Sequence, residues 1–208
     1  MNQGVRLSCI LSICAALAIT ACRTTPSPTV PSSSTTPPSA EPGPCPRGYE
    51  RHISDEMGFF ACHPAGWTVS VTGGAEAGEQ VVSFLEPVAV PEVPPKTIVV
   101  RTLPAAADQS ESELLEGLAL DLMNRRARLG LEVGPIYSLT IDERQAVEDN
   151  VVRSASAGEG IVQVSEWVAG FPAGGEEWSI TVTGPAESAR QIEQLYRLFL
   201  SELRLAAD

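Results

Sequence analysis

Basic residues are scarce in this chain. Its 208 residues carry 14 Lys plus Arg against 26 Asp plus Glu, a formal net charge of −12 at pH 7. Nucleic-acid binding needs clustered Lys and Arg to displace counterions from phosphate, and only Arg125, Arg126 and Arg128 stand close together. Those three fall at the end of a predicted helix, where the helix dipole already favours cations. Nucleic acid is therefore not an expected partner. Histidine is scarcer still, with only His52 and His63. A metal centre needs three or four convergent ligands, and neither histidine, nor Asp55 and Glu56 near the first, has that spacing. Either histidine could serve a Ser-His-Asp triad, but the Gly-x-Ser-x-Gly elbow is missing. His63, at a strand end before Pro64, reads as structural, and His52 reads as solvent-exposed. Gly158-Glu159-Gly160 and Gly73-Gly74 are too short to cradle phosphate and do not join a strand to a helix. The acidic pairs Asp142-Glu143, Glu148-Asp149 and Glu176-Glu177 lack a calcium-loop pattern and read as solvated turns. No catalytic residue, cofactor or metal is expected.

A membrane-spanning run is also lacking. The apolar segment Leu7–Thr20 is shorter than the ~20 residues a bilayer requires, and with Arg6 before it the segment has the form of an export signal. It ends in Ile19-Thr20-Ala21-Cys22, which resembles the lipobox of bacterial lipoproteins: an aliphatic residue, two small residues, then the cysteine that is acylated. The resemblance implies a signal peptide over residues 1–21, cleavage before Cys22, and lipid on the Cys22 thiol. An ordinary secretory cleavage after Ala21 is the alternative. Two acyl chains satisfy the rule that stable anchoring takes more than one, each buried CH₂ contributing ~0.8 kcal/mol. The expected address is the cell envelope, with the membrane engaged through lipid on Cys22. Removing residues 1–21, whose only charge is Arg6, leaves a net charge of −13.

Five cysteines are present. Cys9 and Cys14 leave with the signal and lipid consumes Cys22, so Cys45 and Cys62 remain as an even pair in an oxidising compartment. A disulfide between them is expected, worth ~3 kcal/mol for a loop of this size. A reduced pair, or a metal site with His52 and His63, is the alternative, but zinc spacing is absent.

Residues 22–44 also lack the means to fold. Arg23–Pro44 contains seven prolines and ten Ser or Thr, with Val30 as its only large apolar residue. Such a segment cannot build a core. It reads as a disordered linker, with a reach of at most about 70 Å if extended at ~3.1 Å per residue. A globular domain over residues 45–208 is of ordinary single-domain size.

Strands are expected on either side of the Pro64-Ala65-Gly66 turn. Trp67, Val69 and Val71 alternate there with Thr68, Ser70 and Thr72, the period of a half-buried strand. Further strands are predicted over 80–85, 96–103, 136–141, 145–157, 161–169 and 178–183. One helix begins at the capping box Ser110-Glu111-Ser112-Glu113, carries a stripe of Leu115, Leu118, Leu122 and Leu129, and stops at Gly130. A second opens at Gly184-Pro185, runs to about Leu205, and presents Ile192, Leu195, Phe199 and Leu203 on one side. Strands in hairpin-like succession with two helices suggest an α+β domain, an antiparallel sheet with helical cover.

The segment Gly58–Ser70, with Gly58, Phe59, Pro64, Gly66 and Trp67, is followed by a helix, a run of strands and a closing strand and helix. This order resembles the PsbP-like fold, over about residues 56–205. That group includes the photosystem II extrinsic subunit, mycobacterial lipoproteins of the LpqN type and chaperones of type VI secretion effectors. The resemblance implies an α/β/α sandwich and a binding, assembly or adaptor role without catalysis, toward a protein or envelope component.

Two loops are candidates for partner contact. Glu86–Lys96 holds four prolines and can present Val88, Val90 and Val93 at low entropic cost, or serve only as a stiff connector. In Trp167–Trp178, Phe171 is expected near a hairpin tip, either as an anchor or folded back onto the core, with Trp167 and Trp178 paired at its base. A carrier of a small apolar molecule would need a cavity of at least ~300 Å³ between sheet and helix. A hydrolase would need a histidine beside a serine and a carboxylate in a cleft.

Overall fold

A computed structural model of the chain describes residues 43–74, 76–88, 93–132, 134–157 and 160–206. The expected signal peptide, Cys22 and all of the linker up to residue 42 lie outside the described residues. The elements run β1 (Tyr49–Ser54), β2 (Phe59–Pro64), β3 (Thr68–Gly73), β4 (Gln80–Leu85), β5 (Thr97–Pro104), α1 (Glu111–Arg128), β6 (Tyr137–Ile141), β7 (Arg144–Ala157), β8 (Gly160–Ala173), β9 (Glu176–Pro185), α2 (Ala189–Glu202) and β10 (Arg204–Leu205). Seven strands form one antiparallel sheet in the order β3-β4-β5-β9-β8-β7-β6, and β1-β2-β10 form a second, smaller sheet. No helix among the described residues is long and apolar enough to cross a membrane.

Alternation along the strands decides which side of the large sheet is closed. Val82 and Phe84 on β4, Ile98 and Val100 on β5, Ile180 and Val182 on β9, and Ala169 and Phe171 on β8 are all fully buried. They share one face, and α2 lies over it with Ile192, Leu195, Tyr196, Phe199 and Leu203 turned inward. The predicted α2 stripe is therefore the one the fold uses. Phe84 meets Phe199 edge-on at 5.7 Å, and Phe59 from the small sheet meets Trp178 at 6.0 Å. Burying a side chain of this size contributes ~1.5–3 kcal/mol. Close approach of α2 to β9 depends on Gly184, where an added Cβ would collide with Ile192. Gly184 and Pro185 end β9 rather than open α2, and a short 3₁₀ turn, Ala186–Ser188, intervenes.

The Pro64–Gly66 turn does not join a hairpin. It carries the chain from β2 in the small sheet to β3 in the large one. Both flanking segments are strands as expected, but β2 pairs with β1 and β10 instead of β3. Cys45 and Cys62 are disulfide-bonded, tying the start of the domain to β2.

The β8–β9 hairpin is longer than its sequence suggested. Its turn is Gly174-Gly175, both at positive φ, the conformation a tight two-residue hairpin demands. Strand pairing continues through Phe171↔Trp178, Pro172↔Glu177 and Ala173↔Glu176. At the start of α1, the Ser110 side chain accepts from the Glu113 amide and the Glu113 carboxylate accepts from the Ser110 amide at 2.8 Å. These Ser110 hydrogen bonds hold the Glu113 carboxyl below its usual pKa.

Candidate binding site

Two neighbouring acids on β7 hold the two helices. Glu148 and Asp149 are adjacent, so their side chains leave the strand on opposite faces. Glu148 turns toward α2, accepting from Tyr196 Oη at 2.9 Å and from both Nη groups of Arg197 at 2.6 and 2.9 Å. The Arg197 guanidinium also lies 4.9 Å above the Trp167 ring, and Trp167 packs on Tyr196 at 5.2 Å. Hydrogen bonding to Glu148 raises the Arg197 pKa, while burial and the Glu148 charge push the Tyr196 phenol up. Asp149 turns toward α1 and is fully buried, accepting from Arg126 Nε at 2.8 Å and ion-paired with Nη2 of the same guanidinium at 2.8 Å. Arg126 further donates to the carbonyls of Asn150 and Glu132 at 3.1 and 3.2 Å. Beside it, buried Glu166 pairs with Arg125 and with Arg153 Nε at 2.7 Å. Burial lowers the Arg125 pKa, whereas the Asp149 hydrogen bond raises that of Arg126. The three arginines at the end of α1 thus do more than cap a dipole: two of them fasten the helix to the sheet.

The α1 face of the sheet is covered only in part. α1 packs on β7 and β8, where Leu122 meets Val147 and Val168, with Leu115 and Leu118 partly buried. Leu129, expected on the same stripe, is exposed. Across β9, β5, β4 and β3 this face carries Ser179, Thr181, Thr183, Thr97, Ser83, Thr68, Ser70 and Thr72, all at least partly open to solvent. A groove of about 320 Å³ runs where α1 stops and these strands begin. Leu118, Leu122, Leu103 and Val168 supply its apolar wall, and Arg101, Arg125 and Arg128 stand around it with Asp121 and Glu177. Arg101 pairs with Glu79 and lies 3.8 Å from Glu76. Burial, then the nearby Asp121, raise the Glu177 carboxyl despite Arg101. The groove therefore offers both signs of charge, hydroxyls and a short apolar strip, the mixture of a polar protein contact.

Several residues chosen from the sequence lie elsewhere than expected. Of the two expectations for Phe171, anchor or folded back onto the core, the second holds. It is fully buried and stacks on Trp178 at 5.9 Å, because the Gly-Gly turn lies three residues beyond it. It presents no surface to a partner. Trp167 pairs across the hairpin with Val182 rather than Trp178. Val88 and Val93 are 57% and 42% exposed, and Val90 lies outside the described residues. Their loop is pinned at its neck: Glu86 N donates to Lys96 O at 3.0 Å, while Lys96 N and Nζ donate to the Glu86 carboxylate at 3.0 and 2.9 Å. Burial works to raise the Glu86 carboxyl, but the Lys96 amide and ammonium outweigh it and hold the pKa low.

His63 is buried, its ring 4.8 Å from Phe84 and Nδ1 3.0 Å from the Pro64 carbonyl. His52 is half-buried rather than exposed, edge-on to Phe84 at 5.3 Å, and its Nε2 has no hydrogen-bond partner among the described residues. Burial first, and His63 second, lower its pKa. Neither ring is hydrogen-bonded to a serine among the described residues. Asp142-Glu143 does form a turn, with both residues at positive φ. Asp142 has a further task, accepting from the Leu205 amide at 2.9 Å and so holding the end of the chain. Glu148-Asp149 is no turn at all. The missed signal was two acids inside a strand-length apolar pattern, with unassigned arginines in both helices. Among the described residues, no three His, Cys, Asp or Glu side chains are placed to hold a metal ion.

Comparison with known proteins settles the fold. No protein-family model matches the sequence, and a search of curated proteins found no match. Among solved structures, cyanobacterial PsbP from Synechocystis is similar, with a TM-score of 0.54 at 12% identity, covering 78% of this chain and 98% of that one. The fold is PsbP-like. A Bacteroides thetaiotaomicron protein has a TM-score of 0.51 at 11% identity over 77% of this chain, which spans half the length of that one. LpqN, described as involved in cell envelope biogenesis of Mycobacterium tuberculosis, has a lower TM-score of 0.46 at 13% identity, covering 76% and 92% of the two chains. The PsbP-like domain here thus keeps the architecture expected from Gly58–Ser70 and the order of its elements.

Proposed function

We propose that the protein is a non-catalytic binding or adaptor protein of the cell envelope, anchored through lipid on Cys22, that receives a protein partner on the open half of its large sheet. The observation that carries this reading is unequal cover. One face is sealed by α2 and the small sheet, whereas the other exposes a charged groove and a field of Ser and Thr hydroxyls beside α1. The anchor rests on Ile19-Thr20-Ala21-Cys22 and the Pro-rich stretch that follows. A carrier of an apolar molecule is less well supported, because the space under α2 is filled by Phe84, Phe199 and Tyr196, and the groove under α1 is rimmed by charge.

Intact mass of membrane-extracted protein tests the anchor: the expected species begins at Cys22 and carries lipid, and Cys22→Ala leaves the membrane fraction. Cross-linked co-purification tests the binding face. Thr181→Trp, which fills the groove floor, is expected to lose a partner that wild type retains. Equal recovery from both removes the groove's role, and a wild-type chain that recovers nothing removes the adaptor reading.

A further inference from the structure

The outer edge of the large sheet is β3, which among the described residues has β4 on one side and no strand on the other. Natural edge strands are usually blunted by Lys, Pro, a bulge or an inward charge, because their free N–H and C=O groups template further pairing. β3 has none of these devices. From Gly66 to Gly74 the chain carries no ionisable side chain, and its centre, Thr68-Val69-Ser70-Val71-Thr72, reads the same in both directions. The ladder alternates, and Gly74 N already donates to Glu79 O at 2.9 Å. Even-numbered residues therefore face β4, and Val69, Val71 and Gly73 aim their backbone groups outward.

We infer that β3 is a self-pairing edge, joining a second copy of this chain antiparallel about a two-fold axis through Ser70. The palindrome makes such a contact isologous. Val69 of each copy meets Val71 of the other and exchanges both backbone hydrogen bonds, Thr68 meets Thr72, and Ser70 meets its own counterpart. At each end the half-buried Trp67 falls opposite Gly73, where no side chain blocks the ring. Charge argues for a second copy at this edge rather than elsewhere on the surface: two chains at net −12 repel, but this strip meets itself without a like charge. The opposite edge, β6, is five residues long and follows a connection whose Glu132 carbonyl is held by Arg126.

Area sets the strength. A six-residue strand pair buries far less than the ~1,200 Å² of a stable interface, so the contact is weak and concentration-dependent, and a covalent trap is the suitable probe. Across an antiparallel pair without shared hydrogen bonds, opposed Cα atoms lie ~4.5 Å apart, within disulfide reach. In the full chain, Ser70→Cys is expected to form a symmetric cross-link under mild oxidation, identified by peptide mass spectrometry at position 70. Thr72→Cys alone, offset from its counterpart by four residues or ~13 Å, is not. The Thr68→Cys/Thr72→Cys double variant restores it. Adding Val71→Pro to Ser70→Cys removes an outward donor that β4 does not use, and the cross-link is expected to fall to the Thr72→Cys level while the circular dichroism is unchanged. No position-70 cross-link, or equal yields from Ser70→Cys and Thr72→Cys, overturns the inference.

Discussion

The two helices lie on opposite faces of one sheet and are held in different ways. α2 buries Ile192, Leu195, Tyr196, Phe199 and Leu200, and its face belongs to the main core. α1, although four residues longer, buries only Leu114 and Leu122 and leans on ion pairs of Arg125 and Arg126 with Glu166 and Asp149. Apolar burial is tolerant of small shifts, whereas a buried ion pair is stabilising only while its geometry is intact. A sealed side and an adjustable side therefore share the same strands, and the adjustable side carries the groove.

That contrast can be broken face by face. The largest loss is expected for Phe199→Ala, which empties a fully buried site against Phe84 and costs ~3–5 kcal/mol in urea unfolding. Asp149→Asn follows, because it leaves the Arg126 guanidinium, 14% exposed, without its counter-charge. A loss of ~3 kcal/mol is expected, with α1 detached before the sheet unfolds. Leu122→Ala, in the small cluster under α1, is expected to cost ~2 kcal/mol, the low end for core truncation. If it equals Phe199→Ala, the two faces are not different. Glu148→Gln is smaller again, ~1 kcal/mol, since Arg197 is 45% exposed and solvent screens the pair.

The smallest effect is a pH dependence on the sealed side. The His52 pKa is lowered in the folded chain by burial and by His63. The unfolded chain takes up that proton as pH falls through ~6.5, and the folded chain does not. Its contribution to stability is therefore full above about pH 6.5 and declines below it. Urea midpoints at about pH 7.5 and 5.5 should differ more for wild type than for His52→Leu. An identical pH response in the two chains would remove His52 from the account.

Much of the fold was legible because local signals agreed with their surroundings. The α2 stripe, the α1 capping box and the alternation in β3, β4 and β9 each follow from period and cap chemistry, and the Cys45–Cys62 bridge followed from counting thiols. What escaped was non-local. Tyr49–Ser54 is too polar to declare itself a strand, and it becomes one by pairing with β2. Phe171 was misplaced because Gly170 and Pro172 look like a loop, yet the turn chemistry belongs to Gly174-Gly175. Glu148 and Asp149 looked solvated because their arginine partners lie 49 and 23 residues away in the chain, respectively, a pairing that only the folded sheet brings together.

Native-state hydrogen exchange on the full chain tests the central claim of unequal faces most directly, since it reads the opening free energy of each helix separately. The amides of α2 and β9 are expected to exchange only through global unfolding, and those of α1 through a lower-energy local opening that Asp149→Asn lowers further. Equal protection of α1 and α2 in the native protein would contradict it.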